Sequence, residues 1–458
     1  MDNMIVTDRF VNILNKRINK ASYIAFCLII FDASISGYGH WLMIGPLSLR
    51  MILLIFSFAT AVPMMMRNLK AWLKNPMVIS FILFVVYFFF SAYRGWVSGN
   101  RVDVLINDIR AYAWIALIPV AMVVLDSSQR LLFLVKGLIV FSLLHAFLMV
   151  GTNIFLSLSP QSISIIHPFF ERYYLCSISV ITDSFYRFSC GSSLYMVVGI
   201  IFLVYFQIFG RSDRWVLSTI ATCMGLISLF FSYTRSYFGG AFIAIFLFLI
   251  LLILNFPLER KKILLYIIIV FFLTLLMILG LQIYFEEPYL EFALQRTFPN
   301  LELIQDPEIL DYLALSNYSD GTIRVNTISD LKSMLEGHMI LGNGLGAAVT
   351  TRESGKVEYF YLDSVNKYGV IGMFFFLFPV FYMVRLLVSS KNKHWVLLLG
   401  LFCGLTAFFT TSFFNPIMNS SLGICFYSIC IGVFYNFYAN VNNCADVTDP
   451  LIPQVSEY

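Results

Sequence analysis

The sequence predicts an all-α polytopic membrane protein with about twelve transmembrane helices. Of its 458 residues, 59% are hydrophobic, only 12% are charged and 47 are phenylalanine. So few polar residues cannot coat soluble domains of that total length. Apolar stretches of about 20 residues, the length that crosses a hydrocarbon core of about 30 Å, also recur along the chain. Short segments that contain Lys, Arg, Gly or Pro separate them.

Twelve apolar stretches are predicted to cross the membrane as helices. They cover residues 21–39, 47–66, 75–93, 110–126, 131–156, 191–210, 215–232, 237–255, 263–284, 361–388, 395–413 and 420–438. No small-residue cleavage site follows the first stretch, so we expect an anchor rather than a removable signal peptide. The chain then divides into four parts. Residues 1–284 hold nine helices and an outward loop at 157–190, and residues 285–360 form a large outward loop. Residues 361–440 hold the last three helices, and residues 441–458 form the tail.

Lys and Arg residues set the predicted orientation, because they resist translocation when they lie in short loops. One side carries Arg9, Lys16, Arg17, Lys20, Arg67, Lys70, Lys74, Arg130, Arg211, Arg214, Arg260, Lys261, Lys262, Lys391 and Lys393. That side is predicted to be the cytoplasm, so both termini are inside and the tail is cytoplasmic. The net charge of +4 largely reflects this topology. No basic aromatic stripe, zinc knuckle or GxxxxGK[ST] motif indicates nucleic-acid binding.

The outward loop at 285–360 is too long to serve only as a connector. It holds twelve acidic and five basic residues, which suits an outward position. Four apolar residues within it are spaced as on one face of a helix: Ile328, Leu331, Met334 and Leu335. The turn-like Ser319–Gly321 precedes them. We therefore expect a short amphipathic helix over Arg324–Glu336 on the outer membrane surface.

Metal and cofactor binding are not expected from the sequence. The five histidines are scattered, and no HExxH or CxxC spacing occurs. Most cysteines lie in predicted spans, where a buried thiol behaves as a small hydrophobe. Cys176 and Cys190 instead share the first outward loop, where an oxidising compartment permits a disulfide. A disulfide and two free thiols are equally compatible with the sequence.

Three arginines lie near outward ends of the predicted helices. Arg235, in FSYTRSYFGG, occupies a short corner, and Gly239 and Gly240 permit close approach of a backbone or ligand. An arginine there can donate two hydrogen bonds to a phosphate or carboxylate, or extend to lipid phosphates. Arg187, in DSFYRFSCGSS, precedes the sixth span, and Arg324 opens the expected surface helix. Arg187 or Arg324 alone is more often a surface charge, but the three arginines together indicate a site for an anion at the outer leaflet.

Two further motifs follow the expected surface helix. The segment HMILGNGLGA contains Gly344 within a GxGxG pattern. No strand precedes it, so we expect a tight turn that returns the chain to the membrane rather than a dinucleotide site. In EYFYLDSVNKYGVIG, Asp363 lies near the outer end of the tenth span, where an uncompensated carboxylate is costly. An i,i+4 pair with Lys367 and a functional role both account for it.

These outward motifs resemble those of the lipid-linked oligosaccharide polymerase and O-antigen ligase superfamily, whose members share a membrane glycosyltransferase fold of the C class. The matching segments are Arg187–Gly191, the S-x-T-R-S-x-x-x-G corner at Ser232–Gly240, SDGTIR, LGNGLG and DSVNKYGVIG. Ligases typically carry His-Asn about eleven residues before the glycine that matches Gly369, where this chain has Glu358 and Tyr359. The pair Asp363 and Ser364 is instead similar to the Asp-Asn or Asp-Ser of many polymerases of the Wzy type. The resemblance therefore favours an O-antigen polymerase over a ligase.

The resemblance implies a metal-independent glycosyltransferase in the bacterial inner membrane, with its active site facing the periplasm. A growing O-polysaccharide on undecaprenyl pyrophosphate is the implied donor, and one lipid-linked repeat unit is the acceptor. The implied site residues are Arg187, Arg235, Gly239, Arg324, Gly344 and Asp363. In this scheme Arg235 and Arg324 grip the pyrophosphate and Arg187 places a lipid phosphate or sugar. Asp363 is the implied base, and Gly239 and Gly344 line the substrate.

The implied partners are lipid-linked oligosaccharides, membrane lipid and a protein that regulates chain length. Two other functions stay open at this point. One is an O-antigen ligase, which transfers the same glycan to lipid A core. The other is a lipid-linked oligosaccharide flippase, which needs charges deep in its spans. Asp32, Lys136 and His145 are the intramembrane ionisable candidates for that role.

Overall fold

The structure is a computed structural model of the chain. It describes residues 2–35, 43–44, 47–172, 176–182, 185–210, 215–297, 303–304, 306–349, 357, 359–389 and 394–439. The helices are α1 Asp2–Ile35, α2 Leu49–Trp72, α3 Pro76–Val97, α4 Val102–Tyr112, α5 Leu117–Val124, α6 Ser128–Leu158, α7 Ile163–Arg172, α8 Ser193–Phe209, α9 Trp215–Phe231, α10 Arg235–Asn255, α11 Arg260–Phe285, α12 Tyr289–Thr297, α13 Pro307–Leu335, α14 Phe360–Ser389, α15 Trp395–Thr411 and α16 Ser421–Ala439. The strands are β1 Met43–Ile44, β2 Leu47–Ser48, β3 Ser177–Val180 and β4 Tyr186–Ser189.

Eight helical segments of the described residues are long and apolar enough to cross a membrane: Arg17–Ile35, Leu49–Arg67, Pro76–Val97, Val102–Val124, Ser128–Leu158, Arg235–Asn255, Pro257–Phe285 and Phe360–Ser389. Four shorter apolar helices coincide with the other predicted spans: Ser193–Phe209, Trp215–Phe231, Trp395–Thr411 and Ser421–Phe437. The expected all-α polytopic membrane protein is thereby confirmed. The total of twelve crossings, the N-in/C-in orientation and the glycosyltransferase fold of the C class stay predictions.

Helices from both halves of the chain pack together, so the bundle is one body. Helix α14 packs on α3, α16 on α5, and α10 on α15. Tyr195 of α8 lies at the centre, with its ring 5.4 Å from Phe408 of α15 and 5.7 Å from Phe426 of α16. Its hydroxyl donates a hydrogen bond of 2.9 Å to the carbonyl oxygen of Leu422. The last three helices therefore complete a core that the first eight begin.

The predicted first outward loop contains a helix, α7, and a hairpin. Strands β3 and β4 pair antiparallel, with Ser179 opposite Arg187, and Cys176 and Cys190 are joined by a disulfide. The structure thus selects the disulfide from the two alternatives that the sequence left open. Asn153 of α6 donates a hydrogen bond of 3.1 Å to the carbonyl oxygen of Tyr186. The hairpin is therefore fixed both to itself and to the bundle.

The second outward loop differs from its predicted form. Helix α13 runs over Pro307–Leu335, so the prediction of a short helix that starts at Arg324 is wrong. The carboxylate of Asp306 caps the helix, since its Oδ1 accepts from the amide of Glu308 at 2.9 Å. Pro307 at the first helical position favours the same start. This cap outweighs an interior Gly321, which costs only about 1 kcal/mol in a helix.

Candidate functional site

Arg187 and Arg235 belong to different segments of the chain, and the structure brings these segments into contact. The Nε atom of Arg187, on β4, donates a hydrogen bond of 3.4 Å to the carbonyl oxygen of Ser232. Ser232 opens the connection between α9 and α10, and Arg235 is the exposed first residue of α10. We call Arg187 together with Ser232–Arg235 the arginine corner, and the end of the bundle that holds it the loop end.

Strand alternation explains why Arg187 lies at this corner. Tyr186 and Phe188 pack in one buried cluster with Cys176, on the disulfide side of the hairpin. Successive side chains of a strand point to opposite faces, so Arg187 lies on the other face. On that other side the neighbouring Phe185 packs in a second buried cluster, which includes the α9–α10 connection. The hairpin therefore presents Arg187 to the corner by its register.

Tyr233 fixes the backbone of the arginine corner. Its φ of 44° lies in the left-handed region, which residues other than glycine rarely adopt. Its buried ring lies 5.4 Å from Phe185 and 5.0 Å from Phe292 of α12, with edge-to-face geometry. Burial raises the pKa of the Tyr233 hydroxyl well above its ordinary value. The hairpin, the corner and α12 thus share one aromatic core beside the arginines.

Gly239 and Gly240 lie one turn into α10 and have different surroundings. A Cβ atom on Gly240 would clash with Thr411 Oγ1 and lie 2.7 Å from the carbonyl oxygen of Ala407. Gly240 therefore permits the close packing of α10 on α15. A Cβ atom on Gly239 would meet nothing within 4 Å. The space beside Gly239 is open in this structure, whereas helix packing fills the space beside Gly240.

Arg324 lies inside α13, and its side chain is outside the described part of the structure. The last turns of α13 are held at the loop end by two contacts. Leu331 is buried with Val349 and Val357. The carbonyl oxygen of Met334 accepts a hydrogen bond of 2.7 Å from Asn343 Nδ2. The pyrophosphate-gripping role of Arg324 stays a prediction.

Helix α14 is broken at Gly369, where the backbone has φ 68° and ψ 178°. The turn at residues 338–346 fills the break, and we call it the inserted turn. Its amides donate to the carbonyl oxygens of Asn366 and Lys367, and the amide of Val370 donates back to it. Irregular backbone at membrane depth is tolerated where it is buried in protein. The expected tight glycine turn is present, and it packs inside the bundle.

The inserted turn is also bound to α3 and to the residues that follow it. Asn100 donates through Nδ2 to three carbonyl oxygens of the turn, at 3.1, 3.4 and 3.0 Å. Gly344 has φ 88°, and a Cβ atom there would lie 2.6 Å from the Cα atom of Gly95. The close approach that Gly344 allows is therefore to α3, and its predicted place at the substrate has no open space in this structure.

Asp363, Lys367 and Asp108 form a group that we call the buried ion network. Lys367 Nζ lies 2.8 Å from Asp108 Oδ1 and 2.9 Å from Asp363 Oδ2. Their side chains are 4%, 14% and 2% exposed, in the order Lys367, Asp108 and Asp363. The i,i+4 pair that the sequence allowed is therefore formed, but inside the bundle. There the removal of one partner leaves a buried charge uncompensated, which is strongly destabilising.

Two neutral side chains extend this network. Asn419 Nδ2 donates to Asp363 Oδ2 at 3.1 Å, and the hydroxyl of Tyr112 donates to Asn419 Oδ1 at 2.7 Å. The second carboxylate oxygen, Asp363 Oδ1, is buried without a hydrogen-bond partner among the described residues. Unsatisfied buried oxygens are rare in folded proteins and mark strain, catalysis or a bound molecule. Asp363 Oδ1 thus has an unused capacity to accept a hydrogen bond.

One connection joins the buried ion network to the arginine corner. The turn between α15 and α16 begins after Thr411, whose Oγ1 donates to the carbonyl oxygen of Ser236 at 3.0 Å. Asn415 of this turn lies 3.5 Å from the hydroxyl of Tyr237 on α10. Its last part carries Asn419, which holds Asp363. Asp363 and the first turn of α10 therefore share one support.

Several polar residues at the loop end were missed in the sequence. Asp108 lies just before the predicted fourth span, which starts at residue 110 because nearby charges lower the hydropathy of the preceding residues. In the structure the apolar helical segment starts at Val102 and includes Asp108. Arg50 lies inside the predicted second span, which was a usable signal, since intramembrane charges are rare and functional. It pairs with Asp32, and its guanidinium carbon lies 5.9 Å from the ring centroid of Trp114.

The loop end can bind an anion through arginines and accept a proton at a carboxylate. Over the ranges that the structure describes, no three His, Cys, Asp or Glu side chains are grouped to hold a metal ion. No model of a protein family matches the chain, and a search of curated proteins finds no match.

Proposed function

We propose that the protein is an O-antigen polymerase that works at the loop end, facing the periplasm. The observation that carries the proposal is the contact between Arg187 and Ser232, which joins two arginine-bearing segments beside the open surface at Gly239. Two guanidinium groups at one corner suit the two phosphates of a polyprenyl pyrophosphate, because arginine binds phosphate through paired N–H groups. Exposed Arg235 is the first contact for the donor in this proposal.

The reaction needs charge neutralisation and a base. The bond between the donor's anomeric carbon and the pyrophosphate oxygen breaks, and the anomeric carbon bonds to a hydroxyl oxygen of the acceptor. The hydroxyl proton passes to Asp363 Oδ1, and undecaprenyl pyrophosphate leaves. Arg187, Arg235 and Arg324 stabilise the charge that develops on the leaving group. Asp363 Oδ1 suits the base because it is not engaged by Lys367 or Asn419.

Charge placement supports transfer at one face over a flippase. Asp32 pairs with Arg50, and His145 Nδ1 lies 3.4 Å from Ser192 Oγ. Lys136 is exposed on α6. An alternating-access cavity needs such groups to line a central path. The buried ion network and the arginine corner lie instead at one end of the bundle.

The glycan phenotype of a deletion strain tests the proposal against both alternatives. A polymerase deletion leaves one repeat unit on lipid A core, and complementation with the wild-type chain restores long polymer. Polymer that accumulates on the carrier, with none on the core, would identify a ligase. Single lipid-linked units that accumulate facing inward would identify a flippase. Complementation with Arg187→Ala, Asp363→Asn and the wild type, at matched membrane abundance, ties the phenotype to the loop end.

A further inference from the structure

We infer that Asp108 is a positioning residue, which shares Lys367 with Asp363 and so keeps one oxygen of Asp363 free to accept a proton. The inference rests on the proposed function, because it concerns the base of that reaction. Asp108 itself lies on α4, outside every motif that the sequence singled out, and it acts through Lys367.

The geometry of Lys367 carries the first step. An ammonium group has three N–H donors, and two of those of Lys367 go to carboxylates on different helices. Asp363 receives a single bond from Lys367, at Oδ2, and Asn419 also donates to Oδ2. Asp108 draws Lys367 Nζ towards α4, and the two groups that donate to Asp363, Lys367 Nζ and Asn419 Nδ2, both lie on its Oδ2 side. Oδ1 stays buried without a partner within the described part of the chain.

The charge of the group gives the second step. Two carboxylates share one ammonium, so the buried ion network carries one net negative charge when both acids are ionised. A proton that arrives at Asp363 then makes the network neutral, which low-dielectric surroundings favour. Without Asp108, Lys367 and Asp363 would form a neutral pair, and protonation of Asp363 would leave a buried positive charge. Asp108 therefore makes proton uptake by Asp363 easier.

The inserted turn fixes both ends of this arrangement. The amide of Gly346 donates to Asp108 Oδ2 at 3.0 Å. The amide of Gly344 and the hydroxyl of Ser91 both donate to the carbonyl oxygen of Lys367, at 3.2 and 2.8 Å. One short segment thus sets the carboxylate of Asp108 and the backbone of Lys367 against each other. This arrangement is what a positioning residue requires, because small displacements at a reacting group slow the chemical step strongly.

The test compares purified Asp108→Asn with wild type in vesicles that contain lipid-linked repeat units. The amide keeps the size of the side chain and can still accept from Gly346, but it loses the charge. We expect kcat per folded protein to fall about a hundredfold. KM for the repeat unit should stay within about twofold, because Asp108 does not touch the acceptor. Asp103→Asn is the control, since Asp103 lies on the same helix in an exposed pair with Arg101.

A double-mutant cycle separates positioning from general support. If Asp108 acts mainly through Lys367, Asp108→Asn should lower kcat less in a Lys367→Met background than in the wild type. Asp108→Glu restores the charge and should recover most of the activity. Size-exclusion elution and thermal unfolding define the folded fraction, so that loss of folded protein is not counted as loss of rate.

The outcomes distinguish this inference from the proposed function. Full kcat in Asp108→Asn, or a loss that Asp108→Glu does not recover, overturns the role of Asp108. An active Asp363→Asn protein overturns the base itself and leaves no proton acceptor for Asp108 to position. If Asp363→Asn is inactive and Asp108→Asn is fully active, the proposed function stands and only the role of Asp108 is rejected.

Discussion

Arg187 reaches across from its hairpin to the carbonyl oxygen of Ser232, 45 residues further along the chain. The bond places the second strand of the first outward loop against the corner that precedes Arg235. Two cations that positive-inside sorting disfavours on the predicted outward side of the bilayer are thereby brought to one place. An anion that both can bind is the simplest physical reason to keep them there, and this reading gives the first prediction.

Replacement of Arg235 should separate charge from geometry. Arg235→Lys keeps the charge but loses the planar pair of N–H groups, so polymer should become shorter or scarcer. Arg235→Ala should abolish polymer, since one such transition-state contact contributes about 2.7 to 4 kcal/mol, or roughly 100- to 1000-fold in rate. Gel profiles of the glycan from the two variants measure the length and the amount of polymer.

Arg260→Ala is the matched control for this experiment. Arg260 begins α11, after the far end of α10, and its Nε donates to the carbonyl oxygen of Ile253 at 2.8 Å. Full-length polymer with a normal length distribution from Arg235→Ala, at normal membrane abundance, would contradict the anion-binding role.

The Cys176–Cys190 disulfide should shield both sulfurs from labelling. Maleimide added to unreduced cells should leave the two cysteines unmodified, and labelling should follow reduction. Cys176→Ser should lower the stability of the hairpin by about 3 kcal/mol. It should also lower polymer yield, because the hairpin carries Arg187. Cys403→Ser, in the apolar core, is the control for the yield. Free labelling of both loop cysteines without reductant would refute the bond.

Removal of the cation from the buried ion network should destabilise the fold. Lys367→Met leaves Asp108 and Asp363 uncompensated, which costs about 3 to 5 kcal/mol. Thermal unfolding in detergent measures this loss of stability relative to wild type. Lys136→Met, on an exposed face of α6, should change stability by less than about 0.5 kcal/mol. Equal unfolding temperatures for the two variants would exclude the network as a stabilising element.

A side chain at Gly369 should disrupt the inserted turn. The φ of 68° strains any other residue, and a Cβ atom would lie 2.5 Å from the carbonyl carbon of Ile340. Gly369→Ala should therefore cost at least about 1 to 3 kcal/mol and reduce membrane abundance. Gly280→Ala has open space around its Cβ atom and should be neutral or stabilising. The measurement is the amount of folded protein that each of these two alanine variants retains after mild heating.

The sequence predicted the helices well because hydropathy is a local property. Every predicted span overlaps an apolar helix of the structure, and α10, predicted from residue 237, begins two residues earlier at Arg235. The start of α13 was not predicted, because the prediction rested on the turn-like Ser319–Gly321 and did not use the capping signal of Asp306 and Pro307. The capping signal and the turn signal are both local, and the difference in free energy between the two helix starts decides which one forms.

The site was less predictable because its contacts are long-range. Asp108 and Lys367 are 259 residues apart, and Tyr112 and Asn419 are 307 apart. Nothing in the local sequence around Asp108 distinguishes it from the exposed Asp103. Arg235 and Asp363 were accessible to sequence reasoning because each stands where its charge is costly, and Arg187 because it directly precedes a predicted span. Their common location at the loop end needed the fold.

The inserted turn packs against α3 but is synthesised much later than α3, and this order sets when the bundle can be completed. Ser91 and the Lys367 backbone that it binds are separated by 276 residues. Synthesis at about 5 to 20 residues per second makes α3 wait roughly 14 to 55 s in the bilayer for this partner. During that interval the amide of Asn100 lacks the three carbonyl oxygens that it later binds. This part of the bundle can therefore be completed only after the inserted turn and Lys367 have been synthesised.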